Sequence, residues 1–378
     1  MNKTLVILAA LLVPASALHA QNWDADRDRL VAEFRQKRYE EVLKLSSAML
    51  VTYELPEFVG EIYTRRAGAL GELKRWDDLV AEAGRLDGAA WAADRRVLAD
   101  VLLRFAGALR RGKEIPRAID VYRLVLAKCP KQTPQCATAR VAVGDCYAYD
   151  LKDALEQAVP EYLAVEKDYP GEKPAAALAV QHLAETWWRL GDFRKAKDAY
   201  ARALARYRAD YPASHVEQFA TRIGEACVRL DDPEGALKAY REAEETFTTR
   251  PEHQSELAWR RAKILFDGKR YAEAAAAYRR VVARYALANE SRSVGSAQAV
   301  VDCFAALEKY DEALKAAHVV YDYGDRHWAV PKIIELLTLS GADDEQVEAF
   351  VRFQLYGPKG EDGQQEIANP FDRIGYPD

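Results

Sequence analysis

Residues 190–204 read LGDFRKAKDAYARAL, and residues 230–244, forty positions later, read LDDPEGALKAYREAE. Each stretch has an alanine, Ala196 or Ala236, with a tyrosine four positions after it. Offsets of three, four and seven residues lie on one face of an α-helix. Each stretch therefore predicts an amphipathic helix with a small residue at its closest approach and a large one a turn later.

The same pattern recurs along the chain at spacings of 37 to 40 residues, which is typical of a helical repeat array. The residues at the Ala196 position, called anchors here, are Val42, Leu79, Ala118, Ala158, Ala196, Ala236, Ala274 and Ala313. Four positions after them stand Ser46, Ala83, Tyr122, Tyr162, Tyr200, Tyr240, Tyr278 and Ala317. A second apolar stripe precedes each anchor helix, and no stretch alternates with a period of two. The sequence therefore predicts an all-α chain of helix pairs.

Caps and breakers agree with this pairing. Asp192 and Asp232 stand where a helix N-cap is expected, and Pro233 follows at a first helical position. Four further prolines are predicted to close the second helix of successive pairs; they are Pro130, Pro170, Pro212 and Pro251.

The motif Gly191-Asp192-Phe193, with Ala184, Ala196, Tyr200 and Ala203 around it, resembles the tetratricopeptide repeat. Most of the predicted helix pairs are 38–40 residues long, and this length is similar to that of the long-repeat type found in exported bacterial proteins. The resemblance implies a right-handed α-solenoid over residues 21–357, with about eight helix pairs near 23–59, 60–98, 99–138, 139–176, 177–216, 217–254, 255–293 and 294–327. Capping helices are expected over 328–357. The tail, 358–378, is predicted to be flexible, with packing on the cap or use as a docking peptide as alternatives.

The first twenty residues, MNKTLVILAALLVPASALHA, resemble a secretory signal peptide, with a cut after Ala17 or Ala20. The alternative is an uncleaved anchor, but the apolar run is shorter than the ~20 residues of a membrane span. We therefore expect an exported protein, periplasmic or secreted, with no membrane span after cleavage.

Composition and charge limit the kinds of partner that the protein is expected to bind. The formal net charge of the 378 residues is -5, with both signs interleaved, so nucleic acid is not expected as a partner. Of the five cysteines, Cys129 and Cys136 bracket a short loop and could be bridged in an oxidising compartment, with two free thiols as the alternative.

No catalytic, cofactor or metal motif is recognisable in the sequence, so we expect a protein that is not an enzyme and carries no cofactor. An enzyme that presents an acid such as Glu185 to a glycan is the weaker alternative. The expected function is a scaffold that binds a protein or peptide in cell-envelope complex assembly. Alternatives are a self-assembling homo-oligomer, or an accessory factor of cell-wall processing or outer-membrane protein assembly.

The resemblance implies that the first helices of successive pairs line a concave groove that holds the ligand. Large aromatic side chains among charged ones suit protein binding, although packing between pairs would explain the aromatics equally well. The predicted groove residues are Arg104, Tyr147, Gln181, Glu185, Trp188, Arg222, Glu225, Arg229, Trp259, Lys263, Phe266, Gln298 and Asp302.

Overall fold

The computed structural model describes residues 15–246, 250–285, 290–322 and 324–356, and these residues form α-helices without any strand. The helices are α1 (Ala15–Arg35), α2 (Tyr39–Thr52), α3 (Pro56–Glu72), α4 (Trp76–Arg85), α5 (Arg95–Arg111), α6 (Ile115–Lys128), α7 (Thr133–Asp145), α8 (Leu155–Asp168), α9 (Lys173–Arg189), α10 (Phe193–Tyr207), α11 (Ala213–Arg229), α12 (Pro233–Thr246), α13 (Pro251–Asp267), α14 (Tyr271–Tyr285), α15 (Glu290–Ala306), α16 (Tyr310–Asp322), α17 (Arg326–Leu339) and α18 (Asp344–Tyr356).

The helices pack as antiparallel pairs, from α1 with α2 as pair one to α15 with α16 as pair eight. The chain forms two compact units: an N-terminal unit, Met1–Tyr211, and a C-terminal unit, Pro212–Asp378. Helices α17 and α18 follow pair eight, where the cap was predicted, and Ile333 and Phe350 lie in the core of the C-terminal unit. The predicted tail, 358–378, and most of the predicted signal peptide lie outside the described residues.

The anchor column is confirmed, because the side chains of all eight anchors are fully buried. The five tyrosines four residues later are buried as well. Two of them lie directly against glycines of the first helix. A Cβ on Gly144 would stand 2.5 Å from Cε1 of Tyr162, and one on Gly224 would stand 2.3 Å from Cε1 of Tyr240. The small residue and the tyrosine therefore bring the two helices of a pair into close contact.

The joint inside a pair is three residues long in seven of the eight pairs, and its middle residue has a left-handed backbone. The N–H of the third joint residue donates to a carbonyl five residues back, as from Asp192 to Trp187 at 3.0 Å and from Arg75 to Leu70 at 2.9 Å. This is the Schellman ending of a helix. Only one joint inside a pair has glycine at the left-handed position; the full set is Lys37, Lys74, Lys113, Asp153, Gly191, Asp231, Lys269 and Glu308.

The predicted N-caps are confirmed. The carboxylate of Asp192 accepts from the Lys195 N–H at 3.1 Å, and that of Asp232 accepts from the Gly235 N–H at 2.9 Å.

The predicted pair boundaries are too late. Pairs predicted to begin at 60, 99 and 177 begin at Pro56, Arg95 and Lys173. At α5 and α9 the reason is that the opening residues, Arg95 and Lys173, are polar and exposed and so add nothing to the apolar period. For the same reason Pro251 was placed wrongly: it opens α13 instead of closing α12.

Pair four departs from the others. Its first helix, α7, continues as one π-helical turn, Cys146–Asp150, and the joint that follows has four residues, 151–154. The extra residues explain why the anchor spacing is 40 between Ala118 and Ala158. Single π-helical turns of this kind occur often at functional sites.

Candidate protein-binding surface

The predicted groove residues lie on the first helices of pairs three to eight or, for Tyr147, on the π-helical turn of pair four, and none of them is buried. Arg104, Arg229 and Lys263 are exposed, and the other ten are half-buried. We call the side chains that the first helices leave exposed or half-buried the first-helix surface. The described part of the chain has no helix long and apolar enough to cross a membrane.

Two of the predicted aromatics pack at the joints. The ring of Trp188 meets Phe193 edge-on at 5.1 Å between centroids, and Phe266 meets Tyr271 at 5.4 Å. Phe34 makes the same contact with Tyr39 at 5.5 Å in pair one. The partners are five residues apart in each case, so this is a repeated packing element worth ~1 kcal/mol per pair. This packing explains why aromatic residues stand at positions 188 and 266 without any need for a ligand. A binding role for Trp188 and Phe266 stays a prediction.

The third predicted aromatic, Trp259 on α13, is half-buried against the core of the C-terminal unit. The guanidinium of Arg292 lies over its ring at 5.5 Å from the centroid. A guanidinium group that stacks on a tryptophan ring can still bind a carboxylate through its own N–H edge, as that of Arg292 does with Glu256.

In the C-terminal unit, arginines and glutamates alternate across the first helices. Glu225 on α11 accepts from Arg222 and from Arg260 of α13, both at 2.9 Å. Arg260 also donates to Glu256 at 2.6 Å, and Glu256 pairs with Arg292 of α15. We call this row of five side chains the arginine ladder. Burial lowers the pKa of Arg292 from its ordinary value.

A pocket of about 270 Å³ lies beside the ladder between α11 and α13. Its floor includes Glu217, which is 3% exposed and pairs with Arg250 at 3.0 Å. His253 contacts the Thr221 hydroxyl through Nε2 at 3.3 Å. Burial lowers the pKa of His253, while the nearby Glu217 carboxylate opposes that shift.

In the N-terminal unit, donors converge on one carboxylate, Asp145, at the end of α7. Its Oδ1 accepts from the Tyr162 hydroxyl at 2.9 Å and lies 2.7 Å from Nδ1 of His182. Its Oδ2 lies 3.5 Å from Arg110 of α5, which also donates to Asp150 at 2.6 Å. Asp145 therefore joins α5, α7, α8 and α9. We call this set the Asp145 network.

A second group of hydrogen bonds adjoins the Asp145 network at the π-helical turn. The Tyr149 hydroxyl donates to Glu185 at 2.9 Å, and Gln181 donates to the other oxygen of that carboxylate at 3.2 Å. Burial raises the pKa of Tyr149, and Glu185 adds to the shift, so the phenol stays protonated and acts as a donor. Two predicted groove residues, Gln181 and Glu185, are thus held in place by a third residue that sequence analysis missed.

Sequence analysis found only some members of these clusters. It identified Arg222, Glu225, Gln181 and Glu185 but missed Asp145, His182, Arg260 and the others. One signal was available, because Arg222 and Arg260 both stand fourteen residues before their anchors. The convergence on Asp145 has no such signal, since the π-helical turn shifts the register there. Three of the remaining predicted residues contact side chains outside these clusters: Gln298 donates to Asp325 at 2.8 Å, Asp302 lies 3.5 Å from Lys332, and Tyr147 accepts from Arg123 at 3.0 Å.

Of the two alternatives for Cys129 and Cys136, a bridge or two free thiols, the structure has the free thiols, and both are buried. The Cys136 thiol instead donates to the Cys129 carbonyl at 3.2 Å. The short loop leaves Cys129 just after α6 and Cys136 in the first turn of α7, and both side chains face the core. Burial raises the pKa of Cys129 to about 11, which disfavours the thiolate.

Within the described residues, no three His, Cys, Asp or Glu side chains are placed to hold a metal ion. That no cofactor is needed stays a prediction.

The structure defines the fold class of the described residues: they form helix pairs in which small residues pack against tyrosines. A family model described as tetratricopeptide repeat matches residues 182–251 and 221–289. The chain therefore contains tetratricopeptide repeats over residues 182–289.

A plant relative and two solved structures are similar to it. Protein KINESIN LIGHT CHAIN-RELATED 1 of Arabidopsis thaliana is 29% identical over 213 residues, which cover 53% of this chain and 33% of that protein. The chain thus spans about a third of the length of that relative. The structure of Naa15/Naa10 bound to HypK-THB is 14% identical with a TM-score of 0.51, covering 93% of this chain and 44% of that one, and shows the fold alone. The structure of the C-terminal part of a TPR repeat-containing protein from Cytophaga hutchinsonii is 14% identical, with a TM-score of 0.45. The match covers 70% of this chain and 97% of that chain.

Proposed function

We propose that this protein is a non-catalytic scaffold that binds a protein or peptide on its first-helix surface. The observation that carries the proposal is the contrast between the two helices of a pair. Second helices repeat buried anchors and tyrosines, whereas first helices present side chains that differ from pair to pair and are held by hydrogen bonds. Variation on a rigid frame is what specific recognition requires.

The chemistry of the surface supports a polypeptide ligand. In the C-terminal unit the arginine ladder presents guanidinium and carboxylate groups in fixed positions beside Trp259. In the N-terminal unit the Glu185 carboxylate is held by the Tyr149 hydroxyl. Arginine and aromatic residues are enriched among those that dominate protein interfaces. Because the guanidinium and carboxylate groups are already oriented, little side-chain entropy is lost on binding.

We further propose that the scaffold is exported and acts in cell-envelope complex assembly. This rests on the leader-like residues 1–20 and on the resemblance to long-repeat exported proteins. A cut after Ala17 or Ala20 would fall within the first two turns of α1, which begins at Ala15. Amino-terminal sequencing of the protein from producing cells tests this; a chain that keeps Met1 and stays in the cytosol would contradict export.

Charge reversal tests the binding surface. Arg104→Glu and Lys263→Glu change exposed first-helix side chains of the N-terminal and C-terminal units, whereas Lys238→Glu changes an exposed position of α12, a second helix. All three variants and the unaltered protein would be used to capture partners from an extract of the producing cells. We expect at least one first-helix variant to lose partners that the Lys238→Glu control keeps. If the control loses the same partners while the first-helix variants keep them, the surface is assigned wrongly.

A further inference from the structure

Two pockets lie between successive second helices, one at pair two and one at pair seven, and they occupy matching repeat positions. The pair-two pocket, about 600 Å³, is lined by Tyr63, Arg66, Leu70, Glu82, Arg85 and Ala89, among others. The pair-seven pocket, about 430 Å³, is lined at the same positions by Ala258, Arg261, Leu265, Ala277, Arg280 and Arg284. Arg66 and Arg261 both stand ten residues after the proline that opens their helix, Pro56 or Pro251.

In the pair-two pocket the central arginine, Arg66, pairs with a carboxylate of the chain itself. Nε of Arg66 donates to Glu82 at 2.6 Å, and Nη1 donates to the Leu43 carbonyl at 3.1 Å and the Ser47 hydroxyl at 2.9 Å. Both Arg66 and Glu82 are less than a fifth exposed. The pocket therefore contains its own carboxylate for its central guanidinium.

In the pair-seven pocket that carboxylate is missing from the sequence, because Ala277 stands at the position of Glu82. Nη1 of Arg261 pairs with Glu244 at 2.5 Å, but its Nε is buried and has no hydrogen-bond partner among the described residues. A buried donor without a partner is energetically unfavourable, so such atoms are uncommon.

Two additional arginines increase the positive charge of the pair-seven pocket. Arg280 and Arg284 are exposed at its mouth, and in the described part of the chain neither forms an ion pair. Glu244, the acid in the lining, is already shared between Arg261 and the Tyr285 hydroxyl, which donates at 3.0 Å. Three guanidinium groups thus face one carboxylate that is already engaged.

We propose that the pair-seven pocket binds a small organic anion with carboxylate or phosphate groups. The anion would take the electrostatic role that Glu82 plays in pair two, held by the guanidinium groups of Arg261, Arg280 and Arg284. Guanidinium binds both oxyanions through two parallel hydrogen bonds, which gives these contacts strength and direction. The volume lies within the range of ordinary small-molecule sites, and the alanine and leucine walls accommodate an aliphatic body.

The test is calorimetric titration of the purified protein with citrate and, separately, with inorganic phosphate, at constant ionic strength and neutral pH. We expect one of the two anions to bind with one-to-one stoichiometry; citrate alone indicates a carboxylate ligand, and phosphate alone a phosphorylated one. The double variant Arg280→Gln/Arg284→Gln should bind ~10-fold or more weakly, because two charge-assisted contacts are lost. Arg241→Gln, an exposed arginine of α12 outside the pocket, should bind as the unaltered protein does.

Ala277→Glu is the most specific variant, since it gives pair seven the carboxylate that pair two has. It should abolish anion binding and raise the melting temperature, because it provides the buried Arg261 Nε with an acceptor. If circular dichroism shows that this variant is misfolded, the double arginine variant decides the matter alone. The proposal is overturned if neither anion binds at millimolar concentration, or if the double variant binds as tightly as the unaltered protein.

Discussion

The N-terminal and C-terminal units connect their first helices in different ways. In the C-terminal unit the arginine ladder is a row of pairwise contacts, two of them within α11 or α13 and two between neighbouring first helices. In the N-terminal unit the Asp145 network converges on a single carboxylate that is 15% exposed and serves four helices. In both, the tyrosine four residues after an anchor reaches the network: Tyr162 donates to Asp145, and Tyr240 lies close enough to Arg260 for the guanidinium to oppose the rise that burial causes in the tyrosine pKa.

The same repeat can therefore distribute its polar contacts along a row, as in the C-terminal unit, or concentrate them on one carboxylate, as in the N-terminal unit. Removing one member of the ladder breaks at most two contacts, and most of the remaining members keep a ladder partner. A convergent network leaves several enclosed donors without an acceptor when its centre is removed, which costs more than the contacts themselves. The units should therefore respond unequally to matched substitutions.

The largest effect is expected for Asp145→Ala. It leaves the Tyr162 hydroxyl, His182 Nδ1 and one edge of Arg110 without their acceptor, so the free energy of unfolding should fall by ~3 kcal/mol. Urea unfolding monitored by circular dichroism measures this, with exposed Asp198→Ala of α10 as the control. A loss no greater than that of the control would show that the network does not stabilise the unit.

The next effect compares Gly144→Ala with Gly224→Ala. Each adds a methyl group within 2.5 Å of a tyrosine ring, which should cost ~2 kcal/mol through overpacking. Gly144→Ala should cost more, because it also moves the Tyr162 hydroxyl away from Asp145. Thermal unfolding measures both; equal losses would mean that the Asp145 network tolerates displacement. Gly60→Ala on α3, where a Cβ has no neighbour within 4 Å, is the control and should not destabilise.

A smaller effect is expected for Glu225→Gln in the arginine ladder. Its partners Arg222 and Arg260 are about a third exposed, and Arg260 keeps Glu256, so the loss should be ~1 kcal/mol or less. Urea unfolding at low and high salt measures it. The loss should shrink at high salt, because partly exposed charges are screened. A loss as large as that of Asp145→Ala would remove the distinction between ladder and network.

The smallest effect concerns pH and His253. Burial lowers its pKa in the folded state, so between that pKa and the unfolded value of 6.5 the unfolded chain binds more protons. The contribution to stability is therefore present above pH 6.5 and declines as the pH falls through the lower folded value. Melting temperatures from pH 8 to pH 5 should fall less steeply for His253→Gln than for the unaltered protein. If the melting temperatures of the two proteins fall equally steeply with pH, a group other than His253 takes up the proton on unfolding.

The repeat itself was predictable because it depends on local rules. The anchors, the tyrosines and the caps Asp192 and Asp232 follow from helical spacing and from the orphan N–H groups of a helix start. The left-handed joint was visible only at Gly191, since lysine, aspartate and glutamate at that position carry no sequence signal of a positive φ.

The contacts between pairs were not predictable. Asp145 lies 2.7 Å from His182 although 37 residues separate them, and Glu225 accepts from Arg260 across 35 residues. Such partners depend on the register between neighbouring pairs, which one extra residue in a π-helical turn changes. The joint packing of Trp188 and Phe266 was missed for a simpler reason: an aromatic residue near a helix end looks the same whether it meets a ligand or the next helix.

Site-specific photocrosslinking in producing cells tests the central claim, that partners bind the first-helix surface, most directly. A photoreactive amino acid would replace Lys263 on α13 or, as the control, Lys238 on α12; both side chains are exposed. We expect a crosslinked adduct with a second protein from the Lys263 position and none from the Lys238 position. An adduct from Lys238 alone would contradict the central claim.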